Sequence, residues 1–238
     1  MAGLAEIWRS HVGKKLIAAS TGMVLLFFLL GHMAGNLKAL LGADGGGIPQ
    51  IDTYAEFLRT VGEPVLPPGV LLWIARITLL VCLVLHVLVV SQLAVSNRGA
   101  RPIGYAMRRT RASSWMAKSM MLTGVAILIF VVVHILHFTT GTVRFAAFEP
   151  GKVYANLYHS FRQPLVAIGY SAIMLLVGMH LWHGGWSFFQ TWGWDRPDRN
   201  RVIRGLAIGL TLVIVVGFCA LPISFVFGWL PEPSPLVP

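Results

Sequence analysis

Apolar residues in this chain do not alternate with polar ones; they run together over about 16–41, 70–95, 118–141, 163–189 and 205–230. At 1.5 Å per residue each run is long enough, as an α-helix, to cross a hydrocarbon layer of ~30 Å. The pattern predicts an all-α membrane protein, one integral membrane domain over residues 1–238, whose five transmembrane helices form a bundle. Five helices of a soluble core are the competing reading, but in 238 residues they would leave almost nothing to face water. The longest connection, residues 42 to 69, carries Tyr54, Phe57, Leu58 and Val61 at spacings of three and four after GADGGG. That spacing predicts a short amphipathic helix at the membrane interface, capped by Asp52. The Gly/Pro-rich WLPEPSPLVP reads as a short end beyond the fifth run. No internal duplication stands out.

Composition agrees and adds direction. Hydrophobic residues make up 56% of the chain and charged residues 12%, about half the usual share for a soluble domain, with a mean hydropathy of +0.72. A soluble enzyme is thereby excluded. The net charge of +10 does not indicate a nucleic-acid partner, because the charges fall in short blocks between apolar runs. Thirteen of the nineteen basic residues sit on one side: Arg9, Lys14 and Lys15; Arg98, Arg101, Arg108, Arg109, Arg111 and Lys118; Arg196, Arg199, Arg201 and Arg204. The positive-inside rule therefore predicts a cytoplasmic N-terminus and an external C-terminus. The basic start leads into a full-length apolar run with no small-residue cleavage site, so it reads as a retained helix rather than a signal peptide. Cys82 and Cys219 lie inside apolar runs and suggest neither a disulfide framework nor a metal cluster.

Histidine usage is the chemical signal. Six of eight histidines (His32, His86, His134, His137, His180 and His183) lie within the apolar runs, where an ionisable side chain is costly and should face a partner, a cavity or a cofactor. His32 and His134 each lie about sixteen residues, or ~24 Å, along outward-running helices. His86 and His180 each lie about ten residues, or ~15 Å, from the cytoplasmic ends of inward-running ones. Two pairs thus share two levels, and facing neutral imidazoles are what bis-histidine ligation of a b-type haem iron requires. The expected bundle surrounds two haem b groups, one above the other. A histidine that only satisfies a packing hydrogen bond is the alternative at each site, while His137 and His183, one turn further along, are secondary ligands or partners for propionates or quinone. His11 and His159 fall in interfacial segments. Arg76, ten residues before His86, reads either as a propionate partner at the outer level or as a snorkelling side chain. Lys38, Arg162 and the inner Arg98, Arg101 and Arg108 are further basic candidates. Gly31, Gly35, Gly124, Gly178 and Gly184 would allow close helix packing or leave room for a flat macrocycle.

The chain lacks a phosphate loop, a dinucleotide fingerprint, a zinc-protease motif, a cysteine ladder and a CxxCH haem-attachment motif. It is suited to carry electrons rather than to oxidise a substrate by itself.

The segments SHVGKKLIAASTGMVLLFFLLGHMAGNL around His32, YAEFLRTVGEP, LLWIARITLLVCLVLH ending at His86, FVVVHILHFTTG around His134 and GMHLWHGGWSFFQTWG around His180 together resemble a known family. It is that of the single-chain, five-helix, dihaem cytochrome b anchors of succinate:quinone oxidoreductases, succinate dehydrogenases and fumarate reductases, often paired with menaquinone. The resemblance covers nearly the whole chain. It implies an outer haem held by His32 and His134 and an inner one held by His86 and His180, in agreement with the depth pairing. It also implies two soluble partners on the cytoplasmic face: a flavoprotein with covalent FAD and an iron–sulfur subunit. A quinone site near the outer haem would use an acid, for which Glu56 and Glu63 are the matches; an inner one would draw on Trp8, Ser10, His11 or Ser20. Glu56 also reads simply as the solvated face of the amphipathic segment. A cytochrome b anchor of another respiratory dehydrogenase, a haem-free structural anchor and a transporter are the competing functions. A higher oligomer of complexes is open.

Overall fold

The structure is a computed structural model and describes residues 3–99, 115–196 and 200–233. Five helices are long and apolar enough to cross a membrane: α2 (His11–Leu37), α4 (Val70–Gly99), α5 (Trp115–Phe138), α7 (Pro164–Thr191) and α8 (Asn200–Val226), with a short 3-10 turn (Lys38–Leu41) after α2. Among the described residues three short helices accompany them: α1 (Leu4–Arg9), α3 (Gln50–Thr60) and α6 (Val153–Phe161).

Helix ends extend beyond the apolar runs at the basic end of the bundle. α2 begins at His11 because Ser10 caps it, its Oγ accepting from the Gly13 N–H at 2.9 Å. Lys14 and Lys15 are therefore helical, although the apolar run starts after them. α4 likewise continues to Gly99 and α7 to Thr191. Pro164 opens α7, where its missing N–H costs nothing. α5 stops at Phe138, and Gly141, at a φ of +64°, turns the chain back; a Cβ there would run into the Phe148 ring.

Packing divides the bundle into two hairpins and a brace. α2 packs on α4, α5 packs on α7, and α8 lies against both α7 and α2, while α2 and α7 meet each other. Among the described residues neither α2 with α5 nor α4 with α7 forms a helix–helix seam. α4 and α5 share no such seam either, so the two hairpins meet along α2 and α7, and the α2–α5 and α4–α7 pairs are the two diagonals between them. Large apolar side chains such as Phe27, Trp73, Leu122 and Leu165 stay exposed on the outer faces, as expected where lipid is the solvent.

The tightest core lies at the end opposite the basic one. Ala39 of the 3-10 turn, Ile51 of α3, Leu157 and Phe161 of α6, Ala167 of α7, and Leu221 and Phe225 of α8 pack together there. The amphipathic helix expected in the first loop is present as α3, but Asp52 does not cap it. Pro49 holds the cap position with no side-chain hydrogen bond. The Asp52 carboxylate instead crosses to α6, where Oδ1 accepts from the Tyr154 N–H at 2.9 Å, one of the helix donors that has no partner of its own. α6 itself was not expected from the sequence. The Tyr154 hydroxyl donates to the Pro231 carbonyl at 2.8 Å, fixing the start of the C-terminal tail; its last five residues lie outside the described ones.

Burial pushes the Asp52 carboxyl above its usual value, against the opposing pull of hydrogen bonds from Tyr154 and Val153 and the charges of Lys152 and Arg59. The folded state therefore holds this proton more firmly than the unfolded one, and stability falls as pH rises from the ordinary carboxylate range through the raised value. Asp52→Asn keeps the acceptor without the charge. We expect it to flatten that acid-side slope in thermal melts, whereas Asp52→Ala, which removes the acceptor as well, lowers stability by about 1 kcal/mol at the acid end of the range; equal pH slopes for wild type and Asp52→Asn would refute this.

Candidate cofactor site

The antiparallel hairpins set the depths of the histidines. Although α2 and α5 start earlier than their apolar runs and α4 and α7 end later, the shifts are similar within each pair, so His32 stays level with His134 and His86 with His180. All four are half-buried along the two seamless diagonals.

At the level far from the basic end, the His32 and His134 rings meet edge-on, with centroids 5.8 Å apart and planes at 84°. Phe28 stacks on His32 at 5.3 Å, and Phe130 and Phe138 flank His134 at 5.6 Å each. His134 Nδ1 is buried with no hydrogen-bond partner, an arrangement that proteins avoid unless something else uses the group.

At the level nearer the basic end stand His86 and His180. Here both Nδ1 atoms are engaged. His86 Nδ1 is 3.0 Å from the Ala18 carbonyl and 3.2 Å from Thr21 Oγ1; His180 Nδ1 is 3.2 Å from Thr123 Oγ1. Their Nε2 atoms remain for a metal. Gly31 and Gly184 border open space, whereas Gly35 is packed by Tyr54, Gly178 by Val215 and Gly124 by the His180 ring. Among the described residues no group of three or more His, Cys, Asp or Glu side chains is placed to cage an ion. A histidine pair at each level, with a buried ring nitrogen lacking a partner at the outer one, would fit a haem iron held between the two imidazoles of a level better than an ion cage.

The remaining candidates fall elsewhere. His137 is buried, with Nδ1 2.8 Å from the Tyr170 hydroxyl and Nε2 3.0 Å from Ser160 Oγ, so both nitrogens are used in tying α5 to α7 and α6. His183 lies half-buried one turn beyond His180. Arg76 stacks over the exposed Trp73 ring at 5.1 Å, and Lys38 over Tyr54 at 5.3 Å. Arg162 reaches the carbonyls of Phe225 and Val226 at 3.4 and 3.5 Å, at the end of α8. Glu56 is exposed and pairs with Arg59 at 3.1 Å; Glu63, Ser20, His11 and Trp8 are exposed too. Arg101 and Arg108 lie outside the described residues, and the Arg98 side chain is not described. At the basic end Asp195 accepts from Trp186 Nε1 at 3.0 Å while Arg204 covers the same indole at 4.1 Å, which joins α7 to α8.

The hydroxyls of Thr21 and Thr123, and the His137–Tyr170–Ser160 bridge, were not foreseen. Comparison with family models, curated proteins and solved structures gives no match. The chain's own residues show a multi-pass, all-α membrane protein with five long apolar helices.

Proposed function

We propose that this chain is the membrane anchor and electron-transfer subunit of a succinate:quinone oxidoreductase, passing electrons between an iron–sulfur subunit and a quinone, in the menaquinone class, through two b-type haems. The observation that carries the reading is the pairing of four intramembrane histidines across two diagonals, with the His32 and His134 ring centroids 5.8 Å apart. Haem bound at the two levels supplies one-electron redox chemistry. His32 and His134 hold the outer iron; His86 and His180 hold the inner one. Phe28, Phe130 and Phe138 exclude water around the outer pair, and the exposed apolar faces keep the bundle in lipid. The basic end faces the cytoplasm of a bacterial cell, where the flavoprotein and iron–sulfur partners dock, and the C-terminus is external. The resemblance in the segments around the histidines supports the choice of complex.

The test is purification of the intact complex from its membrane in mild detergent. We expect two companion chains, one with covalent flavin and one with iron–sulfur clusters, about two b haems per anchor by pyridine haemochrome, and haem reduction on adding succinate. A haem-free complex, or companions without flavin, would overturn the proposal.

A further inference from the structure

The two hairpins repeat one arrangement. Thr21-Gly22 on α2 precedes His32 by the same interval, eleven residues from threonine to histidine, by which Thr123-Gly124 on α5 precedes His134. Eleven residues are close to three full turns, so each threonine lies on the same helix face as the histidine ~16 Å further along. The helix that presents an axial histidine at one level thus presents a hydroxyl at the other. In both hairpins that hydroxyl meets the histidine of the second helix: Thr21 meets His86 and Thr123 meets His180, each at 3.2 Å.

Each hydroxyl has a single hydrogen, and its geometry says where that hydrogen goes. Thr21 Oγ1 donates to the Ile17 carbonyl at 2.7 Å on its own helix. Thr123 Oγ1 donates to the Ser119 or Met120 carbonyl, both at 3.1 Å. What each oxygen has left for the imidazole is a lone pair, so it accepts from Nδ1–H. The Ala18 carbonyl, which can only accept, places the same hydrogen on His86 Nδ1 at 3.0 Å. With Nδ1 protonated, a neutral imidazole carries its lone pair on Nε2. The neighbouring glycines border the same rings: a Cβ on Gly22 would stand a tight 3.2 Å from His86 Cε1, and one on Gly124 would be in ordinary contact, 3.5 Å from His180 Cε1. Thr21 and Thr123 are themselves buried. Among the described residues the other level shows no hydroxyl in that place: His134 Nδ1 has no partner, and His32 Nε2 lies 3.5 Å from Asn36 Nδ2.

We propose that Thr21 and Thr123 are matched positioning residues that fix the tautomer and ring orientation of His86 and His180, presenting Nε2 of each to the inner haem iron. The inference rests on the haem reading above and extends it to residues that touch neither iron nor porphyrin. The two hydroxyls are not equal. His86 keeps the Ala18 carbonyl if Thr21 is altered, whereas Thr123 is the partner found for His180 Nδ1.

The experiment uses the intact complex carrying Thr123→Val, Thr123→Ser, Thr21→Val or Thr21→Ser. Its readouts are haem per chain, the low-spin ferric EPR signals, and transfer of haem to excess apoglobin. Thr123→Val should shift one of the two EPR signals and weaken retention of that haem by roughly 10- to 100-fold, the usual effect of removing an outer-shell partner. The second signal should stay unchanged. Thr123→Ser should restore both properties, and Thr21→Val should give the same change in smaller degree. With two haems in the wild type, a Thr123→Val complex identical to it would overturn the inference. Equal loss in the Val and Ser variants would overturn it too, since space rather than the hydroxyl would then matter. A wild-type complex without haem would instead overturn the functional reading beneath it.

Discussion

Substituting His134 by alanine should lower the haem content from about two b haems per chain to about one, and His180→Ala should do the same at the other level, because bis-histidine coordination fails when one axial nitrogen is missing. The two variants should lose different haems. His134 meets His32 across the α2–α5 diagonal, with ring centroids 5.8 Å apart, whereas His180 shares its level with His86 and is held from α5 by Thr123. Reduced-minus-oxidised spectra of each variant, with pyridine haemochrome for quantity, should therefore each retain one component, and the two residual spectra should sum to that of the wild type. The pairing fails if both variants keep the same component, or if either keeps both.

His137→Ala should behave in the opposite way, leaving haem content intact while strongly destabilising the chain. Its two ring nitrogens are occupied by Tyr170 and Ser160, and the ring is 3% exposed. Removing it leaves two hydroxyls without their partner at about 1–3 kcal/mol each, and a cavity where the ring stacked on Phe138 at 4.0 Å. The loss is a large fraction of the ~5–15 kcal/mol that holds an ordinary domain together. Thermal melts in detergent should show a fall of many degrees, partly recovered by His137→Gln, whose amide offers a donor nitrogen and an acceptor oxygen. A His137→Ala chain that melts normally but lacks one haem would make His137 a ligand and refute this assignment.

The contrast between His134 and His137 shows what a sequence can and cannot disclose here. Both lie in FVVVHILHFTTG, three residues apart, and only depth separates them beforehand. Depth was legible because apolar runs have countable lengths and helices a fixed rise, so the matched levels survived even though α2 began at His11 and α4 ran on to Gly99. Partners at long range were not legible. Asp52 looked like a cap for its own helix, and its actual acceptor role lies 102 residues away at Tyr154. α6 is nine residues long, too short to stand out as a periodic segment, and it is held by the far-end core rather than by its own pattern. The Thr-Gly repeat was in plain view at equal intervals before His32 and His134, but threonine and glycine are common packing residues in membrane helices. Only the hydroxyl-to-imidazole contacts single these two out.

The seamless diagonals have a consequence for the life of the protein in its cell. Each level draws one imidazole from each hairpin, so on the proposed reading iron at either level clasps together two halves that otherwise meet along α2 and α7 and through the α8 brace. Cofactor supply and chain maturation are then coupled: anything that binds the folded bundle alone raises its stability by mass action. Chains made under haem starvation would keep their hairpins and lose their clasp, and membrane proteolysis would clear them faster than loaded ones, matching the number of anchors to the number that can conduct electrons.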